Sequence, residues 1–438
     1  MGPEPRSQTP AVLRPESKTG FVFTVTPIHT AGLAEPDPTD SAKAWLRLAI
    51  AVLVSTIGGV GMWSVVVALP AIQADFGVAR ADASLPYTLT MLGFGAGGIV
   101  TGRLADRFGI AVPLAVGALS LALGYIAAGH ASTLWQVAIA HGVLIGLGCS
   151  TTFGPMMADM SHWFVRRRGI AVAVVASGNY LAGTIWPPVV QHFIAADGWR
   201  ATHIGIGLFL LVTMLPLTYF LRGRVHSHHT EASTQSAARR QAALPFSGMT
   251  LQVLLCIAGV ACCVAMSMPQ VHIVAYCGDL GYGPARGAEM LSLMMGFGII
   301  SRVTSGFVAD RIGGVRTLLL GSVLQGTALF FYLFFNGLTS LYVISAMFGL
   351  FQGGIVPSYA IIVREYFSPR EAGTRVGVVL MATLIGMALG GWLSGEIFDV
   401  SGSYRAAFLN GLGWNLVNVS IMTWLLLRSR GRPAPIRA

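Results

Sequence analysis

Between Trp45 and Leu427 the chain runs in apolar stretches of about twenty residues, interrupted by short clusters of charge, glycine and proline. An α-helix of about 20 residues spans the ~30 Å hydrocarbon core of a bilayer, so each stretch is long enough to cross. Twelve are expected, at 45–70, 84–106, 110–129, 133–158, 169–194, 202–222, 250–276, 287–309, 315–335, 338–363, 373–398 and 405–427. The fold expected is therefore an all-α polytopic membrane protein.

Composition agrees. With 54% hydrophobic residues, 11% charged residues and 54 glycines among 438, the usage is far from that of a soluble globular chain. The net charge of +10 is not a nucleic-acid signal, because the basic residues are scattered over segment ends instead of forming a patch interleaved with aromatics. It sets an orientation. One side collects Lys43, Arg47, Arg103, Arg107, Arg166, Arg167, Arg222, Arg311, Arg316, Arg364, Arg375 and Arg428, and the other only Arg80, Arg200, Arg286 and Arg405. By the positive-inside rule both termini are expected on the cytoplasmic face of the cell membrane. The five cysteines have no metal-ligand spacing and read as small apolar residues. Residues 1–43 lack the basic start and apolar run of a secretory signal and are expected to be a disordered cytoplasmic tail.

The chain repeats internally. Gly102-Arg103-Leu104-Ala105-Asp106-Arg107-Phe108-Gly109 matches Gly306-Phe307-Val308-Ala309-Asp310-Arg311-Ile312-Gly313, 204 positions on. Trp163-Phe164 followed by Arg166 to Gly169 matches Tyr366-Phe367 followed by Arg370 and Gly373, and Asp197-Gly198-Trp199-Arg200 resembles Gly402-Ser403-Tyr404-Arg405. This divides the chain into a six-helix half at 44–222, a polar linker at 223–247, a second six-helix half at 248–428 and a tail at 429–438. His226, His228 and His229 in the linker have neither cysteine nor acidic partners and are weak metal candidates. In the repeated Gly-x-x-x-Asp-Arg-x-Gly, glycine permits a tight turn, and the carboxylate can meet a helix N-terminus or a basic side chain on a neighbour. Asp106, Arg107, Asp310 and Arg311 are accordingly read as a latch between helices that holds in one conformation and releases in another.

Twelve helices in two parallel halves, with this motif after the second and eighth helices, resemble the major facilitator superfamily, whose halves rock about a central site. Within it, Trp163-Phe164-Val165-Arg166-Arg167-Arg168-Gly169, the downstream Ala173, Ser177 and Gly178, the run Val271-His272-Ile273-Val274-Ala275-Tyr276 with Asp279-Leu280-Gly281, and Arg302 resemble the monocarboxylate transporter and oxalate–formate antiporter group. The resemblance implies transport of small organic anions such as lactate or pyruvate, often with a proton. The chain departs from the animal carriers in having no lysine within its first helix, and Gly298 where they carry an aspartate one turn before the arginine.

Arg302 stands inside an apolar helix, eight residues and so about 12 Å from Asp310. Insertion of a guanidinium at bilayer depth costs about 2.5–3.5 kcal/mol, and such residues face a protein interior or a water-filled path. Its planar fork matches a carboxylate bidentately. No acidic residue is evident at the same depth, so Arg302 is the first candidate for binding a substrate anion. Tyr180, Asn179, Trp63 and Tyr359 carry polar groups that lipid would penalise and are candidates for lining the same cavity. His272, with Tyr276, is a candidate proton-responsive gate, against a plain interfacial role in an aromatic belt. Nothing points to a cofactor, to nucleic acid or to an enzyme: there is no nucleotide-binding loop, metal cluster or nucleophile–base pair. The expectation is a secondary transporter of small monocarboxylates. Its alternatives are an exporter of drugs or neutral metabolites, and a transport-inactive membrane sensor.

Overall fold

The computed structural model describes residues 39–164, 166–223 and 247–429. The N-terminal tail before residue 39, the three linker histidines and the final tail lie outside the described residues. Among those described there is no strand. Ten helical segments are long and apolar enough to cross a membrane: α1 (Ala42–Phe76), α2 (Arg80–Phe108), α3 (Ala111–Gly129), α4 (Leu134–Trp163), the long segment Gly169–Phe220, α7 (Gly248–Asp279), α8 (Pro284–Ile312), α9 (Gly314–Tyr332), α10 (Leu338–Tyr366) and the helix at Pro369–Ser401, α11. The long segment is two helices. Gly198, at φ 80° and ψ 162°, breaks it into α5 (169–197) and α6 (199–220). With α12 (Tyr404–Ser429, 26 residues) twelve long helices are found among the described residues. The end of the bundle at which α1 starts is here called the terminal side. α1 starts at Ala42, where the Ser41 hydroxyl accepts from Ala44 N–H as an N-cap.

The repeated glycines have a conformational cause. Gly109 and Gly313, which end the two Asp-Arg-x-Gly motifs, adopt φ 80° and 85° with ψ 168° and 162°, a region that side chains exclude. Each turns the chain sharply into the next helix. Other glycines let helices touch. A Cβ on Gly93 would lie 1.8 Å from Gly142 O, where α2 meets α4; a Cβ on Gly349 would lie 2.0 Å from Met294 O, where α10 meets α8. The same helix pair in each half is thus held by backbone contact, as in small-residue membrane interfaces.

Several crossings are broken in their middle. α1 bends at Gly59, α4 contains a π-helical turn at Ala140–Ile145 and an irregular one at Thr151–Phe153, and α10 is interrupted at Gly353–Gly354. Irregular backbone at membrane depth is tolerated only where protein buries it or it lines a cavity. On the terminal side Arg47 staples the first half. Its Nε donates to Asp159 at 2.9 Å and its Nη2 to Leu221 O at 2.7 Å, with its guanidinium 4.5 Å from the Trp163 ring centre. This ties α1 to α4 and to the end of α6. The two halves meet along α5 against α8 and α2 against α11.

Candidate functional site

A cavity of about 340 Å³ lies between the halves. Arg302, Tyr180, Asn179 and Trp63, four of the five candidates for substrate contact, line it together. Their placement follows from local backbone. Pro357 has no N–H, so the carbonyl of Gly353, four residues earlier at the α10 break, lacks its helical donor. Arg302 Nε donates to that carbonyl at 3.4 Å and its Nη1 to Ala176 O, on α5, at 3.0 Å. The guanidinium also sits 4.3 Å from the ring centre of Tyr180. Tyr180 can lie there because α8 has glycine at 298: a Cβ on Gly298 would come within 2.3 Å of the Tyr180 ring. Trp63 Nε1 donates to Asn179 O at 3.2 Å, fixing α1 to α5 at the cavity wall.

Arg302 is 9% exposed and has no acidic partner: among the described residues no ion pair includes it. The lining has no other charged residue among those described. Two of the five N–H donors are held by carbonyls, and the positive charge is met by dipoles and a π face instead of an anion.

Tyr359 is a correction to the expected lining. It is fully buried within the second half, where its hydroxyl donates to Asn418 Oδ1 at 3.1 Å and Asn418 Nδ2 donates to Ser322 Oγ at 2.7 Å. Its polar group is satisfied by α12 and, through it, α9, so it has no need of the cavity. Of the adjacent cysteines, Cys262 turns to Gln325 on α9 and Cys263 to the cavity.

On the far side, Arg80 at the start of α2 crosses to the second half. Its Nη1 donates to Asp279 Oδ2 at 2.9 Å and to the Tyr404 hydroxyl, and its guanidinium covers the Phe398 ring at 4.6 Å. Asp399 on α11 accepts from the backbone N–H of Arg80 at 2.9 Å and of Ala81 at 2.7 Å. A Cβ on Gly395 would lie 2.8 Å from Ala81 Cα, so the contact is close. His272 joins this cluster. Its Nε2 is 2.7 Å from Gly391 O and must carry the proton, which leaves Nδ1 to accept from the Tyr404 hydroxyl at 3.2 Å. Tyr276, one turn on, packs its ring against Tyr404 and Phe408. Arg80, Asp279, Asp399 and Tyr404 did not stand out as a set in the sequence, where each reads as an ordinary helix-end residue. The available signal was Arg80 itself, on the arginine-poor side.

The two repeated Asp-Arg motifs end their helices at the terminal side. Asp106, Arg107, Asp310 and Arg311 are exposed, and none takes part in an ion pair among the described residues. Gly98, Gly154 and Gly377 line the terminal-side part of the cavity, and a Cβ on any of them would meet nothing within 4 Å. The halves are closed together on the far side and stand apart at these positions.

A broken-helix bundle of two repeated halves around a central cavity, closed at one end, is the architecture of a membrane transporter. The sequence profile of the Major Facilitator Superfamily matches residues 51–344 and 253–438, and the chain belongs to that superfamily. It is similar to monocarboxylate transporter 13 of Bos taurus, 29% identical over 322 residues, covering 72% of this chain and 73% of that protein. It is also similar to the MFS-type transporter opdF of Penicillium oxalicum (26% identical, 74% of this chain and 78% of that one). Among solved structures, a bacterial homologue of the human lysosomal transporter Spinster, in an inward-facing and unoccupied conformation, shares the fold. Its TM-score is 0.67 at 15% identity, covering 90% of this chain and 99% of that one. The protein is a multi-pass membrane transporter with a small-molecule substrate.

Proposed function

We propose that the protein is a secondary transporter of small monocarboxylates or related organic anions, lactate- or pyruvate-like, working by alternating access in the cell membrane with both termini cytoplasmic. The observation that carries this reading is Arg302, a buried cation in the cavity wall with no anionic partner among the described residues. An isolated buried charge is costly, and a carboxylate arriving in the cavity supplies the missing counter-charge. Tyr180, Asn179 and Trp63 shape the anion's surroundings. The similarity to proteins named monocarboxylate transporters points to the same cargo.

In this reading the Arg80 cluster is the far-side gate and the two Asp-Arg motifs form the opposite latch, released in the conformation described above. Coupling to a proton runs through His272. Neutral His272 accepts from Tyr404, which accepts from Arg80. Protonation of Nδ1 removes that acceptor and sets a second positive charge beside Arg80, with Asp279 and Asp399 the nearest carboxylates. Acid on the far side therefore loosens the gate.

The test is uptake of labelled lactate and pyruvate into proteoliposomes, with and without an inward proton gradient. Saturable uptake that is lost in Arg302→Lys and stimulated by acid outside, the stimulation being blunted in His272→Ala, is the expected result. Normal uptake in Arg302→Lys removes the anion-binding role. A second reading, export of amphipathic neutral compounds, is favoured by the apolar character of the rest of the cavity wall. It predicts transport indifferent to Arg302.

A further inference from the structure

We infer that the cavity selects monoanions with a bulky apolar body, an aromatic or long aliphatic monocarboxylate, over three-carbon acids and over dianions. This rests on the reading of Arg302 as the anion's counter-charge and sharpens it. Three observations carry it.

The first is volume. At about 340 Å³ the cavity falls within the range of sites that enclose drug-sized molecules, and a three-carbon acid leaves much of it unfilled. The second is the chemistry of the wall. Met62, Met266, Met295, Met381 and Met387 line it, with the aromatic rings of Trp63, Tyr87, Phe94, Phe153 and Tyr180, all from the first half. Methionine thioethers are polarisable and adaptable and make favourable contacts with aromatic rings, so this wall fits an apolar group of variable shape. The third is charge. Arg302 is the only charged lining residue among those described, so a monoanion is neutralised and a dianion leaves one carboxylate unpaired in an apolar enclosure.

The internal repeat explains where the room comes from. Gly98 lies 204 positions before Arg302 and occupies the corresponding place in the first half. It is part of the wall, with nothing within 4 Å of a Cβ built on it, and Gly377 on α11 is equally open. One half presents the cation; its counterpart position presents empty space for the body of the cargo.

Binding is read by tryptophan fluorescence on the purified full-length protein in detergent, which avoids passive leakage of weak acids across vesicles. The ligands are acetate, lactate, butyrate, hexanoate and 3-phenylpropionate, the amides of the last two, and oxalate and succinate. Affinity is expected to rise roughly fourfold for each added methylene, the value for burying one CH₂. 3-Phenylpropionate should exceed lactate by at least tenfold, and the dicarboxylates should bind more weakly than butyrate. Gly98→Leu, which fills the open space, should lower the 3-phenylpropionate-to-lactate affinity ratio at least tenfold. Gly377→Leu serves the same purpose if Gly98→Leu does not give a monodisperse protein. Equal affinity for lactate and 3-phenylpropionate, or tighter binding of a dicarboxylate, overturns the inference while leaving an anion carrier in place. Amides that bind as tightly as their acids overturn the counter-charge reading itself.

Discussion

At the scale of single residues, the cavity depends on pairs that no one residue announces. Arg302 is held by a carbonyl that Pro357 leaves without its helical donor, and by a tyrosine ring that only glycine at 298 admits. Arg302→Lys keeps the charge but gives up the planar fork. With a charge-assisted hydrogen bond contributing about 1.5–3 kcal/mol, carboxylate affinity should fall about 10- to 100-fold, measured by ligand titration on protein that elutes as wild type does. Gly298→Ala should act at a distance from the ligand by pushing the Tyr180 ring off α8. The expected outcome is weaker carboxylate binding with Tyr180 already replaced by alanine having no further effect, a non-additivity that a double-mutant cycle reads directly. Arg302 was legible in the sequence because a charge within an apolar helix is conspicuous. Its supports were not, since Ala176 and Tyr180 are 126 and 122 positions away in the chain, and Gly298 reads there as room beside the guanidinium for a ligand or a helix, without saying that Tyr180 fills it. Tyr359 misled for the opposite reason: a polar side chain in an apolar helix has to find a partner, but the sequence does not say whether that partner is the cavity or Asn418.

At the scale of helices, two kinds of contact behave differently. Those within a half, such as Gly93 on Gly142 and Gly349 on Met294, are backbone-to-backbone and allow no side chain. Gly93→Val and Gly349→Val should each cost about 1–3 kcal/mol, the usual penalty of overpacking, seen as a lower unfolding temperature in detergent. The Arg80 contacts run between halves and have to part in the transport cycle as proposed. Arg80→Gln should therefore leave the fold intact and shift the population toward far-side opening. In a background without native cysteines, Gln270→Cys on the cavity wall should react faster with an impermeant maleimide from the far side when Arg80→Gln is present. An unchanged labelling rate would mean that Arg80 is only structural. The helices themselves were readable as apolar runs of the right length, with ends displaced by a few residues. Their interruptions at Gly59, Thr151–Phe153 and Gly353 were not, because hydropathy is insensitive to a local loss of backbone hydrogen bonding.

At the scale of the whole molecule, the two halves share the machinery that turns the chain and differ in what faces the cavity. The Asp-Arg-x-Gly turns occur twice with nearly the same backbone angles, whereas Arg302 has Gly98 as its counterpart. The repeat was visible in the sequence, and with it the parallel arrangement of the halves. The far-side closure was not, since Arg80, Asp279, Asp399 and Tyr404 come from three well-separated parts of the chain. Orientation is testable at this scale. Single cysteines at Asp106 and at Gly281 should be labelled from opposite faces of intact cells, Gly281→Cys from outside, if the arginine-rich side is cytoplasmic.

The lone cation in the cavity wall also has an electrical consequence. Where the anion crosses without the proton, the loaded carrier moves a neutral pair through the membrane field and the empty carrier a bare positive charge; a proton crossing with the anion makes the net cycle electroneutral. Carrying one elementary charge across 100 mV corresponds to about 2.3 kcal/mol, so the return of the empty carrier is the step that feels the potential. Anion-for-anion exchange, in which the cavity is never empty during a crossing, should be indifferent to voltage. Net flux should vary with it.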